Sequence, residues 1–194
     1  MNLEYLVGNN DSITLPLFGT VNVVVDWGDT SSDTYTTTGE KTHTYTTAGT
    51  YNVIITGNLT IFGNGLTGNT TNFSKLKRVI SFGAIGLIEL NGAFKDATAL
   101  YQVPQILPPT ITSLKYAFYG ATIFNDPNIL YWNVSNVLDM SFMFYNADAF
   151  NQPIRNWTVS NSLKLDFMLY SAKNYVEQPG GWIFNRMITL TGNW

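Results

Sequence analysis

The stretch FMFYNADAFNQP, residues 142–153, decides the fold, because its pattern recurs through the second half of the chain. Its central aromatic residue, Phe144, has counterparts every 24 to 26 residues. An alanine follows each of these anchors after three residues, and a large apolar residue follows after three more. The positions are Phe94, Ala97 and Leu100; Phe118, Ala121 and Phe124; Phe144, Ala147 and Phe150; and Leu169, Ala172 and Tyr175. So many positions in phase indicate a repeat protein.

A repeat of about 25 residues is too small to bury its own apolar side, so its copies are expected to stack into a solenoid. Residues 138–140 and 163–165 alternate apolar and polar side chains, which predicts a short parallel strand in each coil. Phe118, Ala121 and Phe124 fit a helical turn on the opposite wall. The sequence thus predicts a second part made of about five short coils.

Three tryptophans share the period of the repeat. Trp132, Trp157 and Trp182 are predicted to stack inside the solenoid, because periodic aromatic residues usually belong to the core. The alternative is that they are exposed and stack on a ligand. The same offset places Leu190 in a fifth coil. Residues 187–194 add no charged cap to that coil, so we expect its end to contact a partner chain.

The first part of the chain has the pattern of β-structure. Residues 13–17 and 21–26 are two β-rich runs separated by residues 18–20, and residues 43–45 and 51–55 indicate further strands. Short strands with frequent turns predict a small β-sandwich. We therefore expect a mainly β protein with two domains, a sandwich over residues 1–62 and a solenoid over residues 72–194.

Motifs in both parts resemble known families. DWGD at residues 26–29, HTY at 43–45 and GTYNV at 49–53 resemble an immunoglobulin-like domain of the polycystic-kidney-disease (PKD) type. WNVSNV at residues 132–137 and the stretch at 142–153 resemble the BspA-type leucine-rich repeats of microbial surface proteins. The resemblance implies a PKD-like sandwich followed by a short leucine-rich-repeat solenoid with parallel strands. It also implies a role in adhesion or assembly.

The composition argues against several classes of partner. Charged residues are 12% of the chain and the net charge is -3, with no long basic run, so no nucleic acid partner is expected. There is no cysteine, which excludes disulfides and thiolate metal sites. No stretch approaches the length of a membrane span, and residues 1–7 lack the pattern of a signal peptide, so no membrane insertion is expected.

The residues that carry chemistry are few, and we expect no catalytic, cofactor or metal site. His43 is the only histidine, and its place in a predicted strand favours a structural role over a catalytic triad. Asp26, Asp29 and Asp33 form one carboxylate cluster. It either caps turn amides, which we favour, or holds calcium. Equivalent positions of Glu89 and Asp139 place these two carboxylates on one exposed face.

The candidate interaction surface consists of four aromatic residues. Tyr119, Tyr145 and Tyr170 each directly follow a repeat anchor, so stacking aligns them into a stripe, and Trp194 lies in the last coil. We expect a non-enzymatic structural or interaction protein, a surface or decoration subunit of a virion or another large assembly, with other subunits as partners. The alternative is an extracellular adhesin or ligand-binding module on a microbial cell, which binds carbohydrate or a host surface.

Overall fold

The computed structural model describes residues 1–67, 73–161 and 163–176, and its N-terminal part is an open antiparallel sheet. The strand order is β3-β2-β5-β1-β6, and β4 also pairs with β2. The strands are β1 (Asn2–Val7), β2 (Asp11–Asp26), β3 (Ser32–Tyr35), β4 (Gly39–Tyr45), β5 (Gly49–Phe62) and β6 (Leu76–Ser81). The prediction of a mainly β protein is confirmed. Hydrogen bonding joins all six strands into one sheet, where two facing sheets were expected.

A β-bulge explains why residues 13–17 and 21–26 form one strand, although the sequence predicted two. The register between β2 and β5 shifts between Phe18 and Val21. Gly19 has a φ of 67°, and a Cβ atom there would lie 2.2 Å from Thr60 Oγ1. The bulge bends β2 without ending it. Its first half can therefore pair with β4 and its second half with β3, while β5 pairs with residues on both sides of the bulge.

The sheet and the repeats are joined at two places. Ile61 at the end of β5 forms a parallel bridge with Glu89 of the first coil. Strand β6 pairs with β1 on one side, and its Arg78 forms a parallel bridge with Gln102 on the other. β6 is thus a strand of the first sheet that lies within the predicted range of the second domain. The division into residues 1–62 and 72–194 stays a prediction.

Along one wall, four amides of each coil donate backbone hydrogen bonds to the next coil. The amides of Leu114, Tyr116, Phe118 and Gly120, for example, donate to carbonyls of the next coil over 2.8–3.0 Å. The amides between them bond locally, as in Ala117 N to Leu114 O at 3.0 Å. Each coil therefore runs through successive tight turns along this wall. Within residues 73–161 and 163–176, parallel pairing between coils consists of single-residue bridges, which join Glu89, Ser113, Asp139 and Lys164, where short strands were expected.

One apolar core runs from the sheet through the coils. The anchors Phe94, Phe118 and Phe144 are fully buried, and their ring centroids follow one another at 5.4 and 5.5 Å. The predicted helical turn at residues 118–124 is instead a pair of hydrogen-bonded turns, with Ala121 N bonded to Phe118 O and Phe124 N to Ala121 O. Each of these hydrogen bonds joins residues three apart and closes a single turn, so the pair does not form a helix.

Trp132 and Trp157 are buried, as predicted, but they do not stack on each other: the Trp132 ring contacts Phe82 and Phe118 instead. Each indole N–H donates to a backbone carbonyl of the preceding coil, Pro104 O at 2.8 Å and Ile129 O at 3.1 Å. The Trp132 ring packs edge-on against Phe82, with centroids 5.8 Å apart. The predictions for Trp182, Leu190, Trp194 and residues 187–194 lie outside the described residues.

Candidate functional site

The most distinctive surface of the described chain is a double row of aromatic rings along the coils, which we call the aromatic face. Its first column contains Tyr119, Tyr145 and Tyr170, and its second contains Tyr116, Phe142 and Phe167. Centroids in the first column are 4.8 and 5.1 Å apart. Those in the second are 5.0 and 5.1 Å apart. Neighbouring rings are inclined by 1 and 19° in the first column and by 31 and 23° in the second, so ring faces cover one another and ring edges point away from the column.

The backbone fixes the spacing of the rings. Tyr116 N donates to Ser141 O at 3.0 Å, and Phe142 N donates to Asp166 O at 2.8 Å. These bonds lie next to the second column and set the rise from one coil to the next. Every ring therefore repeats at the rise of the coil, and the stacking within each column follows that spacing.

The second column has an unusual backbone conformation. Tyr116, Phe142 and Phe167 have φ values of 58, 58 and 53°, in the left-handed region that bulky residues avoid. Gly92 occupies the equivalent position of the first coil, with a φ of 68°. An L-residue there costs about 1–2 kcal/mol relative to glycine. Three aromatic residues therefore occupy a conformation that glycine adopts with less strain.

The aromatic face is partly exposed. Phe167 and Tyr170 are 47% and 46% exposed, and the other four rings are half-buried. Lys115 Nζ lies 5.1 Å from the centroid of the Tyr116 ring, a cation–π contact at the edge of the face. Burial raises the pKa of Tyr119, and the neighbouring Tyr145 adds to the effect. The Tyr119 hydroxyl therefore stays protonated at neutral pH and can donate a hydrogen bond.

The structure brings together three of the four residues predicted as an interaction surface. Tyr119, Tyr145 and Tyr170 form one column, while Trp194 lies outside the described residues. The sequence analysis missed the second column. Its members are spaced like the anchors, at 116, 142 and 167, so the period carried the signal. Nothing in the sequence indicated their positive φ values, because a bulky aromatic residue is not expected in the left-handed region.

The carboxylates near the start of β3 bond within the protein. Asp26 Oδ1 accepts from the Gly28 amide at 2.8 Å, and Asp29 Oδ1 accepts from the Ser31 amide at 3.1 Å, as expected of residues that cap turns. Asp33 Oδ2 accepts from Trp27 Nε1 at 2.8 Å. Among residues 1–67, 73–161 and 163–176, histidine and acidic side chains form no group of three that would hold a metal ion.

His43 is held from two sides. Its Nε2 lies 2.7 Å from Asp29 Oδ2, and its ring stacks on Trp27 with centroids 4.6 Å apart and an interplanar angle of 9°. The hydroxyl of Ser31 donates to Asp29 rather than to His43, over 2.5 Å. A catalytic triad needs the hydroxyl on the histidine. Ser31 and His43 both bond to Asp29 instead, which is the arrangement of a structural hydrogen-bond cluster.

Another concave region lies beyond β6, with a volume of about 720 Å³. Its walls include Phe82, Leu87, Pro104, Ile106 and Pro109, and none of the residues that line it is charged. Ile106 is 78% exposed. The groove offers apolar contact but few groups that would orient a ligand.

Comparison with known proteins concerns the coils. Residues 88–192 match the model of a family described as Mycoplasma protein of unknown function, DUF285. This match spans more than half of the 194 residues and includes the whole aromatic face. The chain belongs to the DUF285 family. The DUF285 family is associated with BspA-like surface proteins.

The other comparisons give no relatives of this DUF285 protein. No curated protein and no solved structure matches the chain. In the part of the chain that the structure describes, no helix combines the length and the apolar character needed to cross a membrane.

Proposed function

We propose that this DUF285 protein is a non-enzymatic structural or interaction protein that binds its partners through the aromatic face. The observation that carries the proposal is the second column, in which three bulky rings occupy left-handed positions that glycine occupies in the first coil. Tyrosine and phenylalanine are enriched at protein interfaces, because they supply large contact areas at a low cost in side-chain entropy.

The proposal includes the finer fold assignment. We take the coils as a short leucine-rich-repeat solenoid of the BspA type and the first sheet as a PKD-like domain. Support for the solenoid comes from the regular bonds between coils and from the DUF285 match, which begins at the first coil. Support for the PKD-like assignment is the DWGD turn, where Trp27 is fully buried and its carbonyl accepts from the Tyr45 hydroxyl at 2.9 Å.

The setting that we favour is the surface of a virion or another large assembly, where other subunits are the partners. The low share of charged residues, 12%, and the ordered aromatic face suit repeated contacts between subunits. The second candidate is an adhesin or ligand-binding module on a microbial cell, which binds carbohydrate or a host surface. It is favoured by the association of the DUF285 family with BspA-like surface proteins.

Fractionation of the producing cells and their particles tests the proposal. The full chain and its Tyr145→Ala variant are followed through a density gradient. Tyr131→Ala serves as the matched control, because Tyr131 is 68% exposed and lies outside the aromatic face. We expect the wild type and the control to sediment with the particle fraction and Tyr145→Ala to remain behind.

Three other results have defined meanings. Wild-type protein on the outer cell surface, accessible to added protease and absent from particles, supports the adhesin. Equal retention of Tyr145→Ala and wild type in every fraction contradicts binding through the aromatic face. A substrate that the purified chain converts, with loss of conversion in a folded point variant, contradicts the non-enzymatic assignment.

A further inference from the structure

We infer that the aromatic face binds the same face of a second copy of this chain, about a two-fold axis that passes beside Phe142. The inference rests on the proposed function, since it names the partner of the face proposed there. In this pairing the coil axes of the two copies run antiparallel, so that the two Phe142 rings meet at the centre. Tyr116 of each copy then faces Phe167 of the other.

The repeat distance of the rings favours a second copy as the partner. Ring centroids within the two columns are separated by 4.8–5.1 Å. Residues along an extended peptide rise about 3.3 Å each, so alternate side chains fall out of step with the columns. A second copy carries the same rise by construction. Rings of one copy can therefore meet rings of the other along the whole column, and a two-fold axis makes the contact self-complementary.

The order of charges along the face also favours this pairing. Lys115 directly precedes Tyr116, and Asp166 directly precedes Phe167, so the two occupy equivalent positions in coils on either side of Phe142. Lys115 lies against the face, with Nζ 5.1 Å from the Tyr116 ring, and Asp166 is exposed. Reversal of the coil order about Phe142 places Lys115 of each copy opposite Asp166 of the other.

These two charges have no direct route to each other within one chain. Tyr116 and Phe167 are separated by two ring steps, of 5.0 and 5.1 Å, with Phe142 between them. A salt bridge needs its charged atoms within about 4 Å. The complementarity of Lys115 and Asp166 is therefore available to a second copy, and it appears twice across the axis.

The exposure of the rings favours this pairing as well. Phe167 and Tyr170 are nearly half exposed at one end of the face, Lys115 contacts the Tyr116 ring, and the exposed Asp166 directly precedes Phe167. An aromatic centre with a charged rim is the usual composition of an interface between subunits. Like charges meet if the copies are joined with parallel coil axes, because Lys115 then faces Lys115. The charge order thus selects the antiparallel pairing.

Sedimentation velocity of the full chain tests the inference. At roughly 100 µM chain, interfaces of micromolar affinity are almost fully formed, so we expect the wild type to be a dimer. Lys115→Glu and Asp166→Lys each place like charges across the axis, and each is expected to raise the dimer dissociation constant at least about tenfold. Phe142→Gly is expected to weaken the dimer while the thermal unfolding midpoint stays near that of the wild type.

The decisive measurement is the mixture of the two charge variants. In a mixed dimer, the carboxylate introduced at position 115 of one chain faces the ammonium group introduced at position 166 of the other, while the unchanged Asp166 faces the unchanged Lys115. The equimolar mixture is therefore expected to regain the dimer, and so is the double variant in one chain. Restored pairing cannot arise from a change in folding, because each variant is measured alone first.

Several outcomes would overturn the inference. They are a wild type that stays monomeric at this concentration, single variants that dimerise like the wild type, or a mixture that stays monomeric. A monomeric wild type together with loss of Tyr145→Ala from particles leaves the proposed function in place and removes only the second copy as partner. If Tyr145→Ala and wild type behave equally in particles and the dimer is normal, the second copy stands as partner and the proposed function is contradicted.

Discussion

Phe142 and Phe144 lie two residues apart in one coil, but they belong to opposite sides of it. Phe144 is fully buried and stacks on Phe118 and Phe150, with centroids 5.5 and 3.8 Å away. Phe142 is partly exposed on the aromatic face with a φ of 58°. The tight turn between them separates a ring in the core from a ring on the aromatic face.

This relationship predicts two unequal effects on stability. Phe144→Ala removes a large core ring and is expected to lower the free energy of unfolding by about 3–5 kcal/mol. Phe142→Gly relieves a left-handed position but loses the ring contacts with Tyr116, Tyr145 and Phe167, so the two terms partly cancel and we expect a loss of only about 1 kcal/mol. Urea unfolding of both variants measures the difference. An equal loss in both would show that the second column serves folding.

The sequence was sufficient for the anchors because their burial depends on the period alone. Phe94, Phe118 and Phe144 follow from equivalence between coils, as does the column of Tyr119, Tyr145 and Tyr170. What the period left open was the backbone between them. Bonds to the next coil decide which residues take positive φ, and those bonds involve residues about 25 positions away.

The first sheet was harder to predict for a similar reason. The sequence around Gly19 fits a turn as well as a bulge. The bulge depends on the close approach of Thr60, which is distant in the sequence. β6 joins the sheet through long-range contacts such as the bond from Arg78 Nε to Glu4 Oε1, at 2.8 Å. Patterns of alternation cannot indicate a partner strand that far along the chain.

A pair of glycines at the junction of sheet and coils gives a second prediction. A Cβ atom on Gly63, which has a φ of 128°, would lie 2.1 Å from the carbonyl oxygen of Asn91. Gly65 has a φ of 65° but nothing within 4 Å of its Cβ position. Gly63→Ala is therefore expected to destabilise by several kcal/mol, and Gly65→Ala by about 1 kcal/mol, the cost of the left-handed conformation alone.

Thermal and urea unfolding of both alanine variants test the junction. The comparison separates steric conflict from backbone strain, because the two glycines share the sign of φ and differ in what surrounds them. If Gly63→Ala proves as mild as Gly65→Ala, the first coil does not depend on close contact with the end of β5.

The amino group of Met1 predicts how stability changes near neutral pH. It donates to Ile55 O at 2.7 Å in a buried position, and burial lowers its pKa from 8.0 to about 6. Between these values the unfolded chain binds more protons than the folded chain, so stability rises with pH from about 6 to 8. Urea midpoints across this window measure the rise.

A matched variant isolates the amino group. His43 is the only histidine, so His43→Gln removes the one imidazole of the chain and leaves the amino terminus unchanged. The rise from pH 6 to 8 is expected to persist in that variant. A flat profile in His43→Gln would contradict the role of the buried amine.

The pair of His43 and Asp29 supplies the last prediction. Burial opposes ionisation of Asp29, but hydrogen bonds from Ser31 and His43 outweigh it, and the pKa of this carboxyl falls below its ordinary value. A lowered carboxyl pKa stabilises the fold above the unfolded pKa of about 3.9, and this contribution is lost as the pH falls through the folded pKa. Asp29→Asn is thus expected to cost about 1 kcal/mol at pH 7 and progressively less below pH 4.

His43→Gln tests whether this cluster does anything beyond folding. The His43 ring stacks on Trp27, which lies in the turn between β2 and β3. Loss of this ring is therefore expected to lower stability without changing binding by the aromatic face. Urea unfolding gives the first quantity, and sedimentation with the particle fraction gives the second. A folded His43→Gln variant that no longer joins its partner would place a functional site on the first sheet, because nothing in the coils is altered by the substitution.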